Sequence, residues 1–337
     1  MSGPDAYRGL GWQHGALTVQ RHGAMLAPLT FLLPNGRQVS PMHVAPWADE
    51  PIAASLPGIL QRLRGEWPCV PFGYAIEDPT APPDWARLNG PPEPLEEIHG
   101  HSSNHAWTWL DDDGASLRLT LDYPSGHPVR RLHRSVTPDP HAPAVDISLS
   151  IEIAGNCRLP LGLHATFRLP AEAQGARIEP GPFSAGRTFP GTVEPAAPLF
   201  AIDRSFASLD AVPGRAGGTC DASRVPLPQE TEELLQLNDI GSVALANEAD
   251  GYRVRLSWNK AHFPSLLLWM SNRGRKAAPW NGRHLALGME PICSPFGLGP
   301  ASARADNPMA SAGTPTARDF SAGEVFTTHY RIAAEPL

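Results

Sequence analysis

The chain has 337 residues, with 27 lysines and arginines against 34 aspartates and glutamates, which gives a formal net charge of −7. This acidic balance argues against a surface that binds nucleic acid or an anionic membrane. The 31 glycines and 38 prolines make up about a fifth of the chain and favour short strands and turns over long helices.

Apolar and polar residues alternate along much of the chain, which is typical of strands with one buried face. In VDISLSIEI, Val145, Ile147 and Leu149 share one face, and the residues between them share the other. The Asn35-Gly36 pair between two such segments predicts a hairpin turn. In chain order, strands are predicted at ALTVQR (16–21), MLAPLTFLL (25–33), GRQVSPMHV (36–44), ASLRLTL (115–121), PVRRLHRSV (128–136), VDISLSIEI (145–153), GYRVRLSW (251–258) and VFTTHYRI (325–332).

Helical patterns are few. The best are the short segments 56–65 (LPGILQRLRG) and 228–237 (PQETEELLQL), whereas the Pro-rich segments 77–97 and 213–228 are predicted as loops. No internal repeat or clear linker divides the chain. These observations predict an all-β protein, with one large antiparallel β-sandwich forming a single domain over residues 1–337.

Two predicted strands carry a titratable side chain on the face opposite their leucines. In LPLGLHATFRLP (159–170), His164 shares its face with Gly162. In HLALGMEP (284–291), Glu290 stands in the same relation to Gly288. A glycine beside a titratable group leaves room for a ligand to approach, although outer-face residues in contact with solvent would give the same pattern.

A histidine-rich segment, EEIHGHSSNHAWTWLDD (96–112), admits three interpretations. On a strand, His99 and His101 would point the same way, about 6.6 Å apart. With His105 they form H-x-H-x3-H, a metal-ligand pattern, but no acid-rich or cysteine partner lies nearby and no metal site is predicted. The flanking Trp107 and Trp109 suit either stacking on a sugar or a place in the core.

Six segments, in the same order, resemble motifs of the aldose 1-epimerase (galactose mutarotase-like) family, and the resemblance covers roughly residues 16–333. In the family these motifs read R-G-G-x-P-x-x-x-P-x-F-G, L-H-G-x-x-R-x-x-x-W, G-x-x-H-P-Y-F, P-x-L-Q-F-Y-x-x-N, L-x-L-E-P and L-x-P-G-E. The corresponding segments here are LRGEWPCVPFG (63–73), IHGHSSNHAW (98–107), LPLGLHATF (159–167), FPSLLLWMSN (263–272), LALGMEPICSPFG (285–297) and SAGEVFTTHYRI (321–332).

The resemblance implies a galactose mutarotase-like supersandwich that interconverts the α and β anomers of a sugar without a metal or organic cofactor. By position, Glu290 would take the proton from the anomeric hydroxyl, His164 would protonate the ring oxygen, and His99 would help hold the sugar. A carboxylate and an imidazole are suited to these roles because both can exchange protons near neutral pH. The predicted substrate contacts are Arg64, His101, Trp269, Asn272 and Arg273.

Departures from the family pattern concern the substrate rather than the proton-transfer pair. The family's tyrosine beside the histidine is replaced by Thr166, its glutamine falls at Leu267, and its second tyrosine falls at Trp269. The family's acidic residue just before the strand that here follows TEELLQL (231–237) has no aspartate counterpart, and Glu232 or Glu233 would have to serve. A cationic group formed by Arg64, Arg273, Arg275, Lys276 and Arg283 suits a phosphorylated or otherwise charged sugar, or else a solvated basic loop.

Several functions therefore remain open at this point. The first is an epimerase acting on a monosaccharide or a charged derivative, including a hexose 6-phosphate. The second is a non-catalytic carbohydrate-binding or sugar-sensing protein, which would be expected to lose the acid–base pair that this chain keeps. A polysaccharide lyase or glycosidase is disfavoured because only Glu290 is a well-placed carboxylate.

The chain carries no pattern of a membrane span, since no segment approaches the roughly 20 apolar residues required. The first residues, MSGPDAYRGLGWQHG, have no basic region followed by an apolar core. The four cysteines, Cys69, Cys157, Cys220 and Cys293, are scattered and form no C-x-x-C motif. A reduced, cytoplasmic location is the simplest interpretation.

Overall fold

The computed structural model describes residues 6–56, 58–75, 78, 81–86, 88, 96–111, 114–193 and 198–337. Strands dominate these residues, as predicted. In chain order they are β1 (Tyr7–Trp12), β2 (Gly15–Gln20), β3 (Leu26–Leu32), β4 (Gln38–Val39), β5 (Glu66–Cys69), β6 (Thr108–Trp109), β7 (Leu117–Asp122), β8 (Val129–Pro138), β9 (Ala144–Ile153), β10 (Cys157–Leu159), β11 (Leu161–Arg168), β12 (Ala176–Pro180), β13 (Ala185–Thr188), β14 (Ser205–Phe206), β15 (Val212–Pro213), β16 (Thr219–Cys220), β17 (Arg224–Val225), β18 (Thr231–Asn238), β19 (Ser242–Asn247), β20 (Tyr252–Trp258), β21 (Ser265–Asn272), β22 (Leu285–Cys293), β23 (Arg318–Phe320) and β24 (Val325–Pro336).

Helical segments of the described chain are short and lie between the strands. The α-helices are α1 (Pro83–Ala86), α2 (His101–Asn104), α3 (Gly299–Arg304) and α4 (Pro308–Ser311), and single 3₁₀ turns cover Pro51–Ser55, Gly58–Arg62 and Leu209–Ala211. Among the described residues, no helix combines the length and the apolar composition that crossing a bilayer requires.

Two large antiparallel sheets form the fold. The first has the strand order β1-β2-β3-β5-β11-β22-β21-β18-β13-β14, with β4 paired to β3. The second has the order β17-β12-β19-β20-β24-β9-β8-β7-β6. Strands of the second sheet alternate between buried and more exposed residues, because one face packs on the first sheet and the other meets solvent. The predicted all-β sandwich is confirmed.

The first sheet is covered on both faces, and the candidate functional site lies on one of them. One face joins the main core, in which Leu163 and Met289 of the first sheet pack in the same cluster as Ile147 of the second. The other face lies under a smaller apolar cluster that includes Trp47, Trp67, Phe72, Trp85 and Phe296. Most residues of β11, β21 and β22 are therefore buried regardless of which face they occupy.

A buried ion pair links the two sheets. Glu66 of β5 belongs to the first sheet, whereas Arg134 of β8 and Tyr330 of β24 belong to the second. Arg134 Nη1 donates to Glu66 Oε1 at 3.1 Å, and its Nη2 donates to the other carboxylate oxygen. The Tyr330 hydroxyl donates to the same carboxylate, and the side chains of the ion pair have no exposed surface.

Most strand predictions are confirmed, including the hairpin at Asn35-Gly36, where β3 pairs with β4 and Gly36 has a φ of 80°. The helix predicted at 228–237 is wrong, because this segment contributes β18, which is flanked by β13 and β21. The helix predicted at 56–65 is reduced to the 3₁₀ turn Gly58–Arg62. Much of the predicted loop at 77–97 lies outside the described residues, and the predicted loop at 213–228 contains the two-residue strands β16 and β17 and the end of β15.

Candidate active site

One row of side chains crosses five neighbouring strands of the first sheet. It lies on the face that packs under the smaller apolar cluster, away from the main core. His164 of β11 lies opposite Trp67 of β5. The register that sets Gly162 opposite Ile292 and Thr166 opposite Gly288 also sets His164 opposite Glu290 of β22. Glu290 in turn lies opposite Leu267 of β21, which lies opposite Gln236 of β18. Hydrogen-bond register therefore brings residues far apart in the sequence into one line.

Glu290 and His164 form the centre of this row. The Nε2 atom of His164 lies 3.5 Å from Oε1 of Glu290, and both side chains are almost fully buried. The Nδ1 atom of His164 contacts the Thr166 hydroxyl at 3.2 Å. The Trp67 ring stacks on the imidazole with 4.1 Å between ring centroids and fixes its plane.

His99 approaches the pair from a turn rather than from a strand. Its φ of 58° and that of Gly100, 77°, reverse the chain just before α2, so the expected strand geometry of His99 and His101 is wrong. The His99 ring lies 5.0 Å from that of His164 and 4.8 Å from that of Phe72, measured between centroids. Its Nδ1 accepts the backbone N–H of Gly73 at 3.3 Å, which leaves the proton of a neutral ring on Nε2.

Burial controls the protonation of these three groups. It raises the pKa of Glu290 well above the ordinary carboxyl value, because the ionised form loses its hydration. For the same reason burial lowers the pKa of His164 well below the ordinary imidazole value, and the neighbouring His99 lowers it further. Burial, with a smaller contribution from the Arg275 charge, also lowers the pKa of His99 to about 4.

The three groups line a cavity of about 460 Å³ whose walls are mostly apolar. This volume is within the range of small-molecule sites. The segment predicted as a loop at 77–97 contributes Asp78, Ala81 and Trp85 to the lining. Asp78 accepts the backbone N–H of Thr192 at 2.8 Å, and the Trp85 indole donates to Asp203 at 3.1 Å, so these contacts tie the segment to the rest of the fold.

Arg275 brings a cation to the cavity and was missed as a specific site residue within its basic loop. Its guanidinium carbon lies 4.5 Å from the ring centroid of Trp280 and 5.6 Å from that of Trp269. Its Nε atom lies 3.8 Å from the buried carboxylate of Glu232. The pairing of the arginine with a tryptophan five residues later in one loop is the sequence signal that could have identified it.

The glycines that flank the pair have different effects. A Cβ on Gly288 would lie 2.3 Å from Oε1 of Glu290, so this glycine makes room for the carboxylate itself. A Cβ on Gly162 would lie 2.1 Å from the Phe72 ring. The open space expected beside His164 is therefore filled by Phe72, and the expectation for Gly162 is wrong.

Of the predicted substrate contacts, the structure brings Trp269 to the cavity wall but places the others elsewhere. Arg64 pairs with Asp49 at 3.0 Å. The Asn272 amide donates to the backbone of Leu227 and Gln229. The Arg273 backbone donates to the His284 carbonyl at 2.9 Å, and none of these three side chains lines the cavity.

His101 also lies away from the cavity lining, together with His105. Their rings stack at 3.8 Å between centroids, and both contact the carboxylate of Glu97. The three ligand-type groups that come together are therefore Glu97, His101 and His105. The H-x-H-x3-H histidines do not converge as a set of three, because His99 lies at the cavity and Glu97 stands with His101 and His105.

Other candidates from the sequence have structural contacts. Trp107 is fully buried in the main core and Trp109 packs against that core, so neither stacks in the cavity. Glu232 accepts the Trp269 indole N–H at 3.0 Å and the Ser271 hydroxyl at 2.8 Å. Glu233 accepts the Thr231 hydroxyl at 2.6 Å, and neither glutamate lines the cavity.

Comparison with solved structures identifies the fold. The chain is similar to an aldose epimerase homologue from C. elegans, with 15% identity, a TM-score of 0.64 and coverage of 98% of this chain and 99% of that one. A galactose mutarotase-like protein from Lactobacillus casei gives 15% identity, a TM-score of 0.60 and coverage of 98% and 100%. A galactose mutarotase-like protein from Clostridium acetobutylicum gives 13% identity, a TM-score of 0.62 and coverage of 98% of this chain and 95% of that one.

The chain thus has the galactose mutarotase-like fold over nearly its full length. No protein-family profile matches the sequence, and no curated protein matches it. At identities of 13–15%, the similarity shows the fold alone. The activity has to be argued from the residues of the site.

Proposed function

We propose that this chain is an isomerase of the aldose 1-epimerase type, which interconverts the α and β anomers of a sugar or sugar derivative. The observation that carries the proposal is the pairing of Glu290 with His164 on adjacent strands at the wall of the cavity. The ring of His99 beside the pair and the shared fold support it.

The reaction needs one proton removed at the anomeric oxygen and one supplied at the ring oxygen. Transfer of the Glu290 proton to His164, 3.5 Å away, gives the reactive tautomer, in which the ionised Glu290 accepts the proton of the O1 hydroxyl while protonated His164 donates to the ring oxygen. The C1–O5 bond breaks, an aldehyde forms, and rotation about C1–C2 exposes its other face. Ring closure returns the O5 proton to His164 and the Glu290 proton to O1, so no net proton is consumed.

The surrounding side chains support this chemistry by holding the sugar and excluding water. The Nε2–H of His99 is free of the Gly73 contact and is suited to donate to a sugar hydroxyl. Trp269 and Trp280 offer apolar ring faces for the C–H groups of a pyranose. Leu267 and Trp67 flank the pair and keep its electrostatic interactions in a low-dielectric setting.

Arg275 supports a substrate with an anionic group, such as a hexose 6-phosphate. Among the described residues it is the arginine or lysine that lines the cavity, whereas Lys276 pairs with Glu230 and Arg283 pairs with Glu50. Arginine binds phosphate and carboxylate oxygens in two parallel hydrogen bonds. We therefore propose a negatively charged sugar as the preferred substrate and a neutral hexose as the alternative.

The test is saturation transfer between anomers, measured by NMR across neutral hexoses, pentoses, hexose 6-phosphates and uronic acids. We expect faster exchange with at least one sugar, greatest for an anionic one. The Glu290→Gln variant should lower the enzymatic rate by roughly 10²–10⁴-fold, because it removes the base. The matched control is Glu233→Gln, which alters another buried glutamate of the same sheet and should keep the activity.

Two other results would contradict the proposal. Line broadening of a sugar without faster anomer exchange would favour a non-catalytic sugar-binding protein. Equal loss of exchange in Glu290→Gln and Glu233→Gln would show that the rate depends on the integrity of the sheet rather than on the base. Greater acceleration of neutral hexoses than of their 6-phosphates would refute the anionic preference alone.

Two expectations from the sequence remain predictions. We propose that residues 1–337 form one domain, which the participation of both β1 and β22 in the first sheet supports. We also propose a cytoplasmic location, supported by four cysteines that are all free thiols.

A further inference from the structure

A second cluster of ligand-type side chains lies outside the cavity, beside the turn that carries His99. We propose that Glu97, His101 and His105 bind a divalent transition-metal ion of the zinc class. One ligand atom from each residue lies within 4.8 Å of the other two. The Glu97 carboxylate lies 3.3 Å from Nδ1 of His101 and 3.0 Å from Nε2 of His105.

The donor types select the ion. Two imidazole nitrogens and one carboxylate oxygen suit Zn²⁺, Co²⁺ or Ni²⁺, whereas Ca²⁺ and Mg²⁺ prefer oxygen ligands alone. A set of three protein ligands leaves a position for water or a small anion in a tetrahedral site. Only His101–Asn104 is helical, and the turn at His99 and Gly100 brings Glu97 back toward His101 and His105.

The ring of His101 is already held in a ligand's orientation. Its Nδ1 faces the Glu97 carboxylate at 3.3 Å. The Tyr123 ring, 4.9 Å away between centroids, packs against the imidazole from the residue that follows β7.

The approach to the cluster is open on the side of His105. The side chain of His105 is 44% exposed and that of Glu97 36%, whereas that of His101 is only 17% exposed. An ion can therefore enter from solvent, displace the protons shared between the carboxylate and the rings, and bind without rearrangement of the core.

A metal ion bound at this cluster would also affect the wall of the cavity. Ile98 and His99 line the cavity and lie in the chain between Glu97 and His101. An ion bound by residues on both sides would hold this turn closed. The inference is independent of the sugar activity, because the ligands and the cavity-lining residues are different side chains.

The proposal is tested by titrating the untagged, metal-free chain with Co²⁺ and following its visible absorption, with Zn²⁺ as competitor. We expect one Co²⁺ per chain, displaced by Zn²⁺. His105→Ala and Glu97→Gln should each weaken Co²⁺ binding by at least about tenfold, since even the loss of an outer-shell partner of a metal ligand costs that much. The exposed position of His105 makes its substitution compatible with folding, which the melting temperature of the metal-free variant checks.

The matched control is His133→Ala, which removes a histidine that pairs with Glu152 at 2.8 Å and belongs to no group of three ligand-type side chains among the described residues. This variant should bind Co²⁺ like the parent chain. Absence of binding at millimolar Co²⁺ and Zn²⁺, equal weakening by His133→Ala, or the absorption of a cobalt–thiolate bond would each overturn the site. Zn²⁺ should also slow amide exchange across residues 97–105, and binding without that slowing would overturn its effect on the turn.

Discussion

The two residues of the proposed catalytic pair could be named from the sequence, but their surroundings could not. Glu290 and His164 stand out because each shares a strand face with a glycine, and the family resemblance selects the same two positions. No pattern in the chain indicates that Leu267 will lie beside Glu290, since that contact depends on how β21 and β22 pair. Arg275 was missed as a site residue for a similar reason: its contact with Trp280 arises within an irregular loop.

Because the pKa of Glu290 is raised, we expect the free energy of unfolding to depend on pH. Above about pH 4.5 the unfolded chain ionises this carboxyl while the folded chain keeps its proton, so the wild type loses stability as pH rises through that range. The loss ends once pH passes the raised pKa of the folded state. Glu290→Gln carries no such charge and should therefore gain stability relative to the wild type as pH increases.

Urea denaturation of both chains between pH 4 and pH 9 measures this difference directly. The lowered pKa values of His164 and the other buried histidines act on both chains, so subtraction removes most of their contribution. A stability difference that stays constant with pH, or that turns against Glu290→Gln at high pH, would show that the buried carboxyl is not destabilised by ionisation.

Elements with one solvated face are the ones the sequence predicts well. Strand β9 alternates in burial along its length and matches its predicted pattern. Strand β18 was taken for a helix because both of its faces are covered, so Leu234, Leu235 and Leu237 form no alternation. The turn at His99 was taken for a strand because only the left-handed conformation of His99 and Gly100, a tertiary feature, reverses the chain there.

The contact between β11 and the Phe72 ring predicts the effect of Gly162→Ala. The added methyl group would overlap the ring, and Phe72 would have to shift against His99. We expect a loss of about 1–3 kcal/mol in the free energy of unfolding, the usual cost of overpacking a core, together with weaker substrate binding. Gly11→Ala is the control, because a methyl group added to this strand glycine would meet no atom within 4 Å and should change stability little. Equal effects of the two substitutions would refute the steric explanation.

At the scale of the whole molecule, the sandwich was predictable and the tie between its sheets was not. The number and alternation of strands favour two packed sheets. Arg134 falls between Leu132 and Val136 on the buried face of β8, which marks it as a buried charge, but no pattern in the sequence identifies Glu66 as its partner. Only the packing of β5 against β8 and β24 brings them together with Tyr330.

The buried ion pair predicts that a single substitution lowers stability more than the double substitution that removes both charges. Arg134→Met would leave the Glu66 carboxylate buried without its cation and should lower the free energy of unfolding by about 3–5 kcal/mol. Glu66→Leu combined with Arg134→Met removes both charges and should recover most of that loss. Urea denaturation of the single and double variants measures the recovery, and a double variant less stable than Arg134→Met alone would contradict this account of the pair.

The row of side chains across the first sheet also constrains how such a protein can change over evolutionary time. It runs from Trp67 through His164, Glu290 and Leu267 to Gln236. Each strand supplies one side chain at a spacing fixed by backbone hydrogen bonds. A one-residue slip in any strand would turn its contribution to the opposite face, so gradual displacement of the backbone has no viable intermediate. New substrate preferences must therefore arise by exchanging side chains at fixed positions. Leu267, which lies next to the proposed base Glu290, is the position from which a library for altered sugar specificity should start.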